Sequence, residues 1–228
     1  MRHGADIYGG RDPLTLPFYS LADAAKIVGM PRPTVRVWIA GRDQAPAIFP
    51  PADPERLQLS FLDLIQVYVL RTLRNVHEVK MSAAKAALKE LKRHSKATHP
   101  LAAENLLTAG GGVFLEKYNA LIRLDASGQI AIRQVLEQAL RRVNRDAAGR
   151  PIALFPVRFG WDSQDQGPIA VNPSIAFGQP VVAGTRVLTA EVASRINAGD
   201  TAADVAEDLH LTDEQVRDAL VFEKAVAA

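Results

Sequence analysis

The chain has 228 residues, of which 48% are hydrophobic and 23% charged, a composition ordinary for a globular protein with one large domain or a few small ones. It has no cysteine, which excludes disulfide and thiolate chemistry. No apolar run approaches the roughly 18 residues of a membrane span, and the N-terminus has no signal-peptide core, so we expect a cytoplasmic protein without a membrane partner.

The small net charge of +2 is unevenly distributed. Residues 1–100 carry 15 Lys and Arg against 9 Asp and Glu, whereas residues 101–228 carry 12 against 16. This asymmetry favours one half that faces nucleic acid and another that contacts protein. Chance scatter of charge is the alternative interpretation.

Residues 1–17 are rich in Gly, Pro and Asp and are predicted to form a flexible arm. After them, Ser20 and Asp23 have the spacing of a capping box, which predicts the start of a helix. Apolar residues follow at helical spacing until Gly29, where we expect the helix to end.

The next short helix has the properties of a DNA-reading helix. Val35, Trp38 and Ile39 form its predicted inner face, and its N-terminal residues face outward, as base-contacting residues do in a helix-turn-helix. Arginine suits guanine or phosphate, and threonine suits a base edge or a thymine methyl. The predicted DNA contacts are Lys26, Arg32, Thr34, Arg36 and Arg42. A three-helix fold without a DNA role is the alternative.

Residues 45–54 form a Pro-rich loop, predicted to be a wing or a small hairpin, and Ser60 with Asp63 caps the next helix. The runs 19–29, 33–39 and 59–68 resemble the winged-helix start of MerR-family regulators. The resemblance covers about residues 18–95 and implies a winged helix-turn-helix, assigned here to residues 18–98, that binds DNA as a dimer. The chain lacks the metal-binding cysteines of MerR itself.

A basic stripe is predicted on the helix that opens at Ser82. Its lysines recur at intervals of four, three and four residues, which places them on one helix face. They are Lys85, Lys89, Lys92 and Lys96. The stripe is either a solvated face or a contact with the DNA backbone.

The middle of the chain, residues 99–160, is predicted to be a small α/β connecting section. Strands are predicted at 113–124 and 129–132 around a turn at 125–128, then a helix, then a strand at 152–159. The strands offer pairing edges, so we expect this section to form the homodimer.

Residues 160–168 are a polar, Gly-bearing linker and the predicted domain boundary, followed by a C-terminal domain over 168–228. This domain is predicted to begin with a short strand at 169–171 and to end in three helices, arranged like a helix-turn-helix. Their predicted ranges are 189–198, 202–209 and 213–226, with caps at Thr201 and Thr212. Segment 199–228 holds eight acids against two basic residues, so it should avoid DNA and pack against protein.

A Pro-x4-Gly-x-Pro-x3-Gly-Thr-Arg signature runs from Pro173 to Arg186. Together with the acidic helices it resembles a small antitoxin-associated family labelled only as a domain of unknown function. The resemblance implies the antitoxin of a type II toxin–antitoxin pair, usually beside a PIN-type ribonuclease toxin. Together with the basic N-terminal helix-turn-helix, this segment makes the chain look like a VapB-type antitoxin of the larger kind that carries a MerR-like N-terminal domain.

The candidate toxin-binding residues are Pro180, Gly184, Thr185 and Arg186. Arginine can hold a carboxylate in a fork, and the acidic helices could shield a basic RNA-binding surface of the toxin. Alternatively, Gly184-Thr185-Arg186 only closes a loop before a helix, with Arg186 tied to a local acid.

No catalytic pattern is present in the sequence, and no enzyme activity, cofactor or metal is expected. The five histidines are scattered, and the triple glycine at 110–112 lacks the Lys-Ser/Thr of a phosphate loop.

The sequence predicts an α+β, mainly α, protein with a winged helix-turn-helix, a middle section and a trihelical C-terminal domain. Its predicted function is that of an antitoxin that neutralises a PIN-type ribonuclease and represses its own operon on double-stranded operator DNA. The alternative is a stand-alone MerR-like regulator that responds to a small ligand.

Overall fold

The computed structural model describes residues 8–42, 45–77, 81–94, 97–103, 126–157 and 166–224. Within these ranges the protein is α+β and mainly helical. None of the helices in this part of the chain is both long and apolar enough to cross a membrane.

The described residues of the N-terminal half contain four helices. They are α1 (Leu21–Val28), α2 (Arg32–Ala40), α3 (Phe61–His77) and α4 (Met81–His94). The predicted caps are confirmed: the Ser20 hydroxyl accepts from the Asp23 amide while the Asp23 carboxylate accepts from Ser20, and Gly29 ends α1 in a left-handed conformation.

Asp63 connects three segments of this half. Its buried carboxylate caps α3 by accepting from the Ser60 amide at 2.9 Å, and it accepts from the Ala52 amide in the α2–α3 loop at 3.0 Å. It also lies 3.1 Å from His99 Nε2. A residue predicted only as a helix cap therefore also fixes the loop and the segment that follows α4.

The prediction for residues 126–132 of the middle section is wrong, whereas the helix predicted after them is confirmed. Instead of a turn and a strand at 129–132, the backbone forms helix α5, Ala126–Arg141, which packs against α3. Ile132, Leu136 and Ala139 recur at helical spacing, and a short β-branched run cannot be told from a helix by periodicity alone. The strand predicted at 113–124 lies outside the described residues.

A short antiparallel hairpin follows, formed by β1 (Val143–Arg145) and β2 (Pro151–Leu154). The predicted strand 152–159 is confirmed only in its first residues, since Pro156 has no amide to continue a ladder. Leu154 exchanges two backbone hydrogen bonds with Val171, each 2.9 Å long, and so joins the middle section to the C-terminal segment.

The C-terminal segment opens with an antiparallel pair, β3 (Ile169–Ala170) and β4 (Val181–Val182). The three predicted helices are confirmed within about two residues as α6 (Thr189–Ala198), α7 (Ala202–Asp208) and α8 (Asp213–Lys224). A capping box at Thr201 starts α7, and the Thr212 hydroxyl accepts from the Gln215 amide to start α8.

One buried apolar cluster extends from Leu14 to Phe222 and includes residues from each of the eight α-helices in the described ranges. The predicted arm contributes Leu14 to this cluster; Leu16 is also buried, and Asp12 forms a 2.8 Å ion pair with Arg150. Residues 8–17 are therefore packed against the rest of the protein, because their apolar side chains are buried in it.

Candidate functional site

Helix α2 presents two of the predicted DNA-reading residues, Arg32 and Arg36, on one exposed face, while Thr34, two positions from each, lies on the opposite side of the helix. Arg32 and Arg36 are exposed and Thr34 is half-buried, whereas Val35, Trp38 and Ile39 are buried. The two arginines are four residues apart, so they lie on the same side of the helix. This face can meet an extended anionic surface.

The orientation of α2 is fixed by contacts at its C-terminal end. The Trp38 carbonyl accepts from the amides of Ile48 and Phe49 at 2.8 and 3.2 Å, and the Arg74 guanidinium lies 5.6 Å from the centre of the Trp38 ring. A helix held by its buried face and by its end keeps its outward side chains in a defined position.

Two of the five predicted DNA contacts lie elsewhere. Arg42 is exposed beyond the end of α2, where its amide donates to the Ala45 carbonyl at 3.0 Å. Lys26 forms an ion pair with Glu223 of α8 and lies 5.6 Å from the centre of the Phe222 ring. The structure thus uses Lys26 to join the two ends of the chain.

We refer to Lys26, Glu223 and Thr189 as the end junction. The second carboxylate oxygen of Glu223 accepts from the Thr189 hydroxyl at 2.5 Å. The side chains of Lys26 and Glu223 are only 24% and 15% exposed, so water screens this pair poorly. Sequence reasoning missed the junction because its charged partners are 197 positions apart.

Replacing Glu223 with glutamine should lower the free energy of unfolding by about 1–3 kcal/mol, because the half-buried ammonium of Lys26 loses this carboxylate. Urea unfolding followed by circular dichroism measures the change. Glu207→Gln, at an exposed acid of α7, is the matched control and should change stability by less than about 0.5 kcal/mol. Equal unfolding midpoints for the two variants would show that the junction contributes nothing.

Several acidic side chains of the C-terminal helices have ion-pair or hydrogen-bond partners within the protein. Arg195 binds Asp208 at 2.7 Å and Asp200 at 2.6 Å, and these hydrogen bonds raise the pKa of the arginine. Asp204 belongs to the cap of α7. The outward acidic surface is therefore smaller than the sequence suggested, and its exposed members include Glu207, Asp213 and Glu214.

The Gly-Thr-Arg signature closes a tight loop between β4 and α6. The Thr185 hydroxyl donates to the Val182 carbonyl at 2.8 Å and accepts from the Val187 amide at 3.1 Å. Pro180 is buried, and its carbonyl accepts from the Thr189 amide at 3.1 Å. Two of the four candidate toxin-binding residues thus build the loop.

The other two candidates form the exposed tip of this loop. Gly184 has φ of +78° with no atom within 4 Å of where a Cβ would stand. Arg186 is exposed, and no acid in the described ranges is within ion-pair distance of it. The alternative that ties Arg186 to a local acid receives no support in this part of the chain.

Phe177 is a prominent surface residue that sequence reasoning did not identify. It is 61% exposed, and both it and Ala176 adopt left-handed backbone conformations, with φ of +53° and +48°. Such conformations cost about 1–3 kcal/mol in residues other than glycine and concentrate at functional sites. The Tyr8 ring packs edge-on against Phe177, with 6.3 Å between centroids. Phe177 is therefore a candidate contact residue for another protein, since aromatic side chains are enriched at interfaces.

Gly178, directly after Phe177, lies against the buried ring of Tyr19. A Cβ at Gly178 would stand 3.1 Å from Tyr19 Cζ and nearer still to its hydroxyl oxygen. Burial raises the pKa of Tyr19, so the phenol stays neutral. The signature loop is therefore seated on the residue that immediately precedes the cap of α1.

Among the described residues there is no group of three or more His, Asp or Glu side chains placed to hold a metal ion.

Comparison with known proteins gives one match to the C-terminal segment and others to most of the chain. A family model described as "Protein of unknown function (DUF433)" matches residues 169–222, from the start of β3 to two residues before the end of α8. A crystal structure of Rv2018 from Mycobacterium tuberculosis is similar with a TM-score of 0.68 and 25% identity, covering 90% of this chain and 98% of that one.

Two curated relatives come from Mycobacterium tuberculosis (strain ATCC 25618 / H37Rv). The chain is 26% identical over 229 residues to a protein named "Putative antitoxin VapB45", covering 90% of this chain and 93% of the relative. It is 27% identical over 224 residues to "Uncharacterized protein Rv2308", covering 90% of each. This similarity supports an antitoxin-like assignment.

Proposed function

We propose that this protein is the antitoxin of a type II toxin–antitoxin system. It binds and neutralises a PIN-type ribonuclease toxin, represses its own operon as a cytoplasmic homodimer on operator DNA, and catalyses no reaction. The observation that carries the proposal is the similarity, over 90% of the chain, to a protein named as a putative antitoxin.

The exposed face of α2 supports the DNA-binding part of the proposal. Arg32 and Arg36 project from the N-terminal half of a short helix with a buried opposite face. Arginines in that position reach base edges or phosphates when such a helix enters the major groove. Lys26 is not part of this surface, since it belongs to the end junction.

The surface of the C-terminal segment supports the toxin-binding part. It combines an exposed aromatic ring at Phe177, an exposed arginine at Arg186 and acids on α7 and α8. Aromatic and arginine side chains are the residue types that most often dominate the energy of a protein interface. The acids complement a partner whose surface is basic.

Co-expression with the product of the adjacent gene tests the proposal. A tag pull-down and a growth-rescue assay should give a stable complex and relief of the neighbour's toxicity. If no complex and no rescue are seen while promoter binding is intact, the protein is instead a stand-alone regulator.

If the toxin is identified, Arg186→Ala should weaken its binding at least about tenfold, because the substitution removes a charged contact at the proposed interface. Titration of purified toxin by calorimetry measures the loss. Arg133→Ala, at an exposed arginine of α5, should bind the toxin as the unmodified protein does. If the affinities of the two variants agree, Arg186 does not contact the toxin.

A further inference from the structure

A cleft of about 510 Å³ lies between the α2–α3 loop and helix α4. Pro46, Ala47 and Ile48 form one wall, and Leu88 of α4 lies opposite. Ile48 and Leu88 are almost completely buried, at 7% and 3% exposure, so the apolar surface open to a ligand is mainly that of the exposed Pro46 and the half-buried Ala47. The interior of the cleft is thus apolar, and its volume falls in the range of small-molecule sites.

Basic side chains line the α4 side of the same cleft. They are Lys85, Lys89, Lys92 and Arg93. The spacing of Lys85, Lys89 and Lys92 places them along one face of the helix. Lys92 Nζ donates to the Ile48 carbonyl at 3.3 Å and so ties the two walls together. Three residues of the basic stripe predicted from the sequence are therefore gathered at an apolar cleft.

We propose that this cleft binds a small amphipathic anion, an aliphatic or aromatic carboxylate or sulfonate. Its apolar body would lie against Pro46 and Ala47, beside Ile48 and Leu88, and its acid group would meet Lys85 and Lys89. Charge complementarity selects an anion, and the apolar interior selects a hydrocarbon body. A DNA backbone satisfies the lysines but places no apolar surface in the cleft, so it is the weaker candidate.

The cleft is also connected to the exposed face of α2. The Ile48 amide donates to the Trp38 carbonyl near the end of that helix, at 2.8 Å. A ligand against Pro46 and Ala47 therefore adjoins Ile48, a residue that holds α2 in place. If the proposed DNA binding is correct, occupancy of the cleft should alter operator affinity, whereas binding of the ligand itself does not depend on that function.

Isothermal calorimetry with decanoate, below its micelle concentration, tests the proposal on the full-length protein. Saturable one-to-one binding is expected, and decyltrimethylammonium, of the same chain length and opposite charge, should not bind. Lys85→Glu with Lys89→Glu should weaken decanoate binding at least tenfold. Ala47→Trp should abolish it by filling the cleft. Arg133→Glu with Arg141→Glu, two exposed arginines of α5, is the charge-matched control and should bind as the unmodified protein does.

The proposal is overturned if decanoate shows no saturable binding, if the cationic analogue binds equally, or if the lysine variant retains full affinity. Loss of operator affinity in the lysine variant without any decanoate binding would identify the stripe as a DNA contact instead. The lysine variant changes only side chains outside the buried core. If Ala47→Trp fails to fold, decanoate binding by the lysine variant still tests the proposal.

Discussion

Replacing Arg32 and Arg36 together by alanine is expected to weaken operator binding at least about thirtyfold while sparing toxin binding. Each arginine that contacts a base or a phosphate contributes about 1–3 kcal/mol, and both project from the same exposed face of α2. The fold should be unaffected, since the packing of α2 comes from Val35, Trp38 and Ile39. Electrophoretic mobility shift with the promoter fragment and calorimetry with the toxin measure the two affinities.

The salt dependence of the same variant separates two kinds of contact. If both arginines bind phosphates, the slope of log affinity against log salt should fall by about two; if they read bases, discrimination against mutated promoters should fall instead. Arg133→Ala with Arg141→Ala on α5 removes the same charge from another surface and should bind DNA normally. Unchanged operator binding by the α2 variant would mean that another surface reads the DNA.

Gly178→Ala is expected to lower the free energy of unfolding by about 2–5 kcal/mol. The new methyl group would stand 3.1 Å from Tyr19 Cζ, and the residue has φ of +78°, which L-residues rarely adopt. Tyr19 is buried within the main core and cannot move aside easily. Chemical unfolding monitored by circular dichroism measures the loss.

Gly184→Ala is the matched control for this prediction. Gly184 has the same φ of +78° but an open surrounding, so only the backbone cost of about 1–2 kcal/mol applies. Tyr19→Phe alone should be nearly neutral, since the buried hydroxyl has no hydrogen-bond partner within the described residues. Combined with Gly178→Ala, it should restore stability toward that of Gly184→Ala. Equal losses for the two glycine variants would show that contact with Tyr19 is not the cause.

Local chemistry predicted much of the helical structure. Ser20, Ser60, Thr201 and Thr212 each cap a helix where the sequence indicated, because a hydroxyl three residues ahead of a polar side chain satisfies the first free amides. The C-terminal helices were placed within about two residues for the same reason. Helix α5 was missed at its start because a short apolar run has the same appearance in a strand and a helix.

The arrangement of the candidate site could be predicted only in part. The exposure of Arg32 and Arg36 follows from the spacing of the buried residues on α2. The placement of Lys26 against Glu223, and of Gly178 against Tyr19, depends on packing between distant segments. Phe177 carried no local signal, because its exposure results from a backbone conformation that sequence pattern does not encode.

The continuous core and the end junction have a consequence for how the protein is degraded. Phe222 lies in the same apolar cluster as Leu14, and Glu223 beside it holds Lys26 of the first helix. A protease that unfolds the chain from its last helix must therefore disrupt the packing of the whole apolar core. Turnover should be all-or-none: full-length protein or small peptides are expected, and no persistent N-terminal fragment.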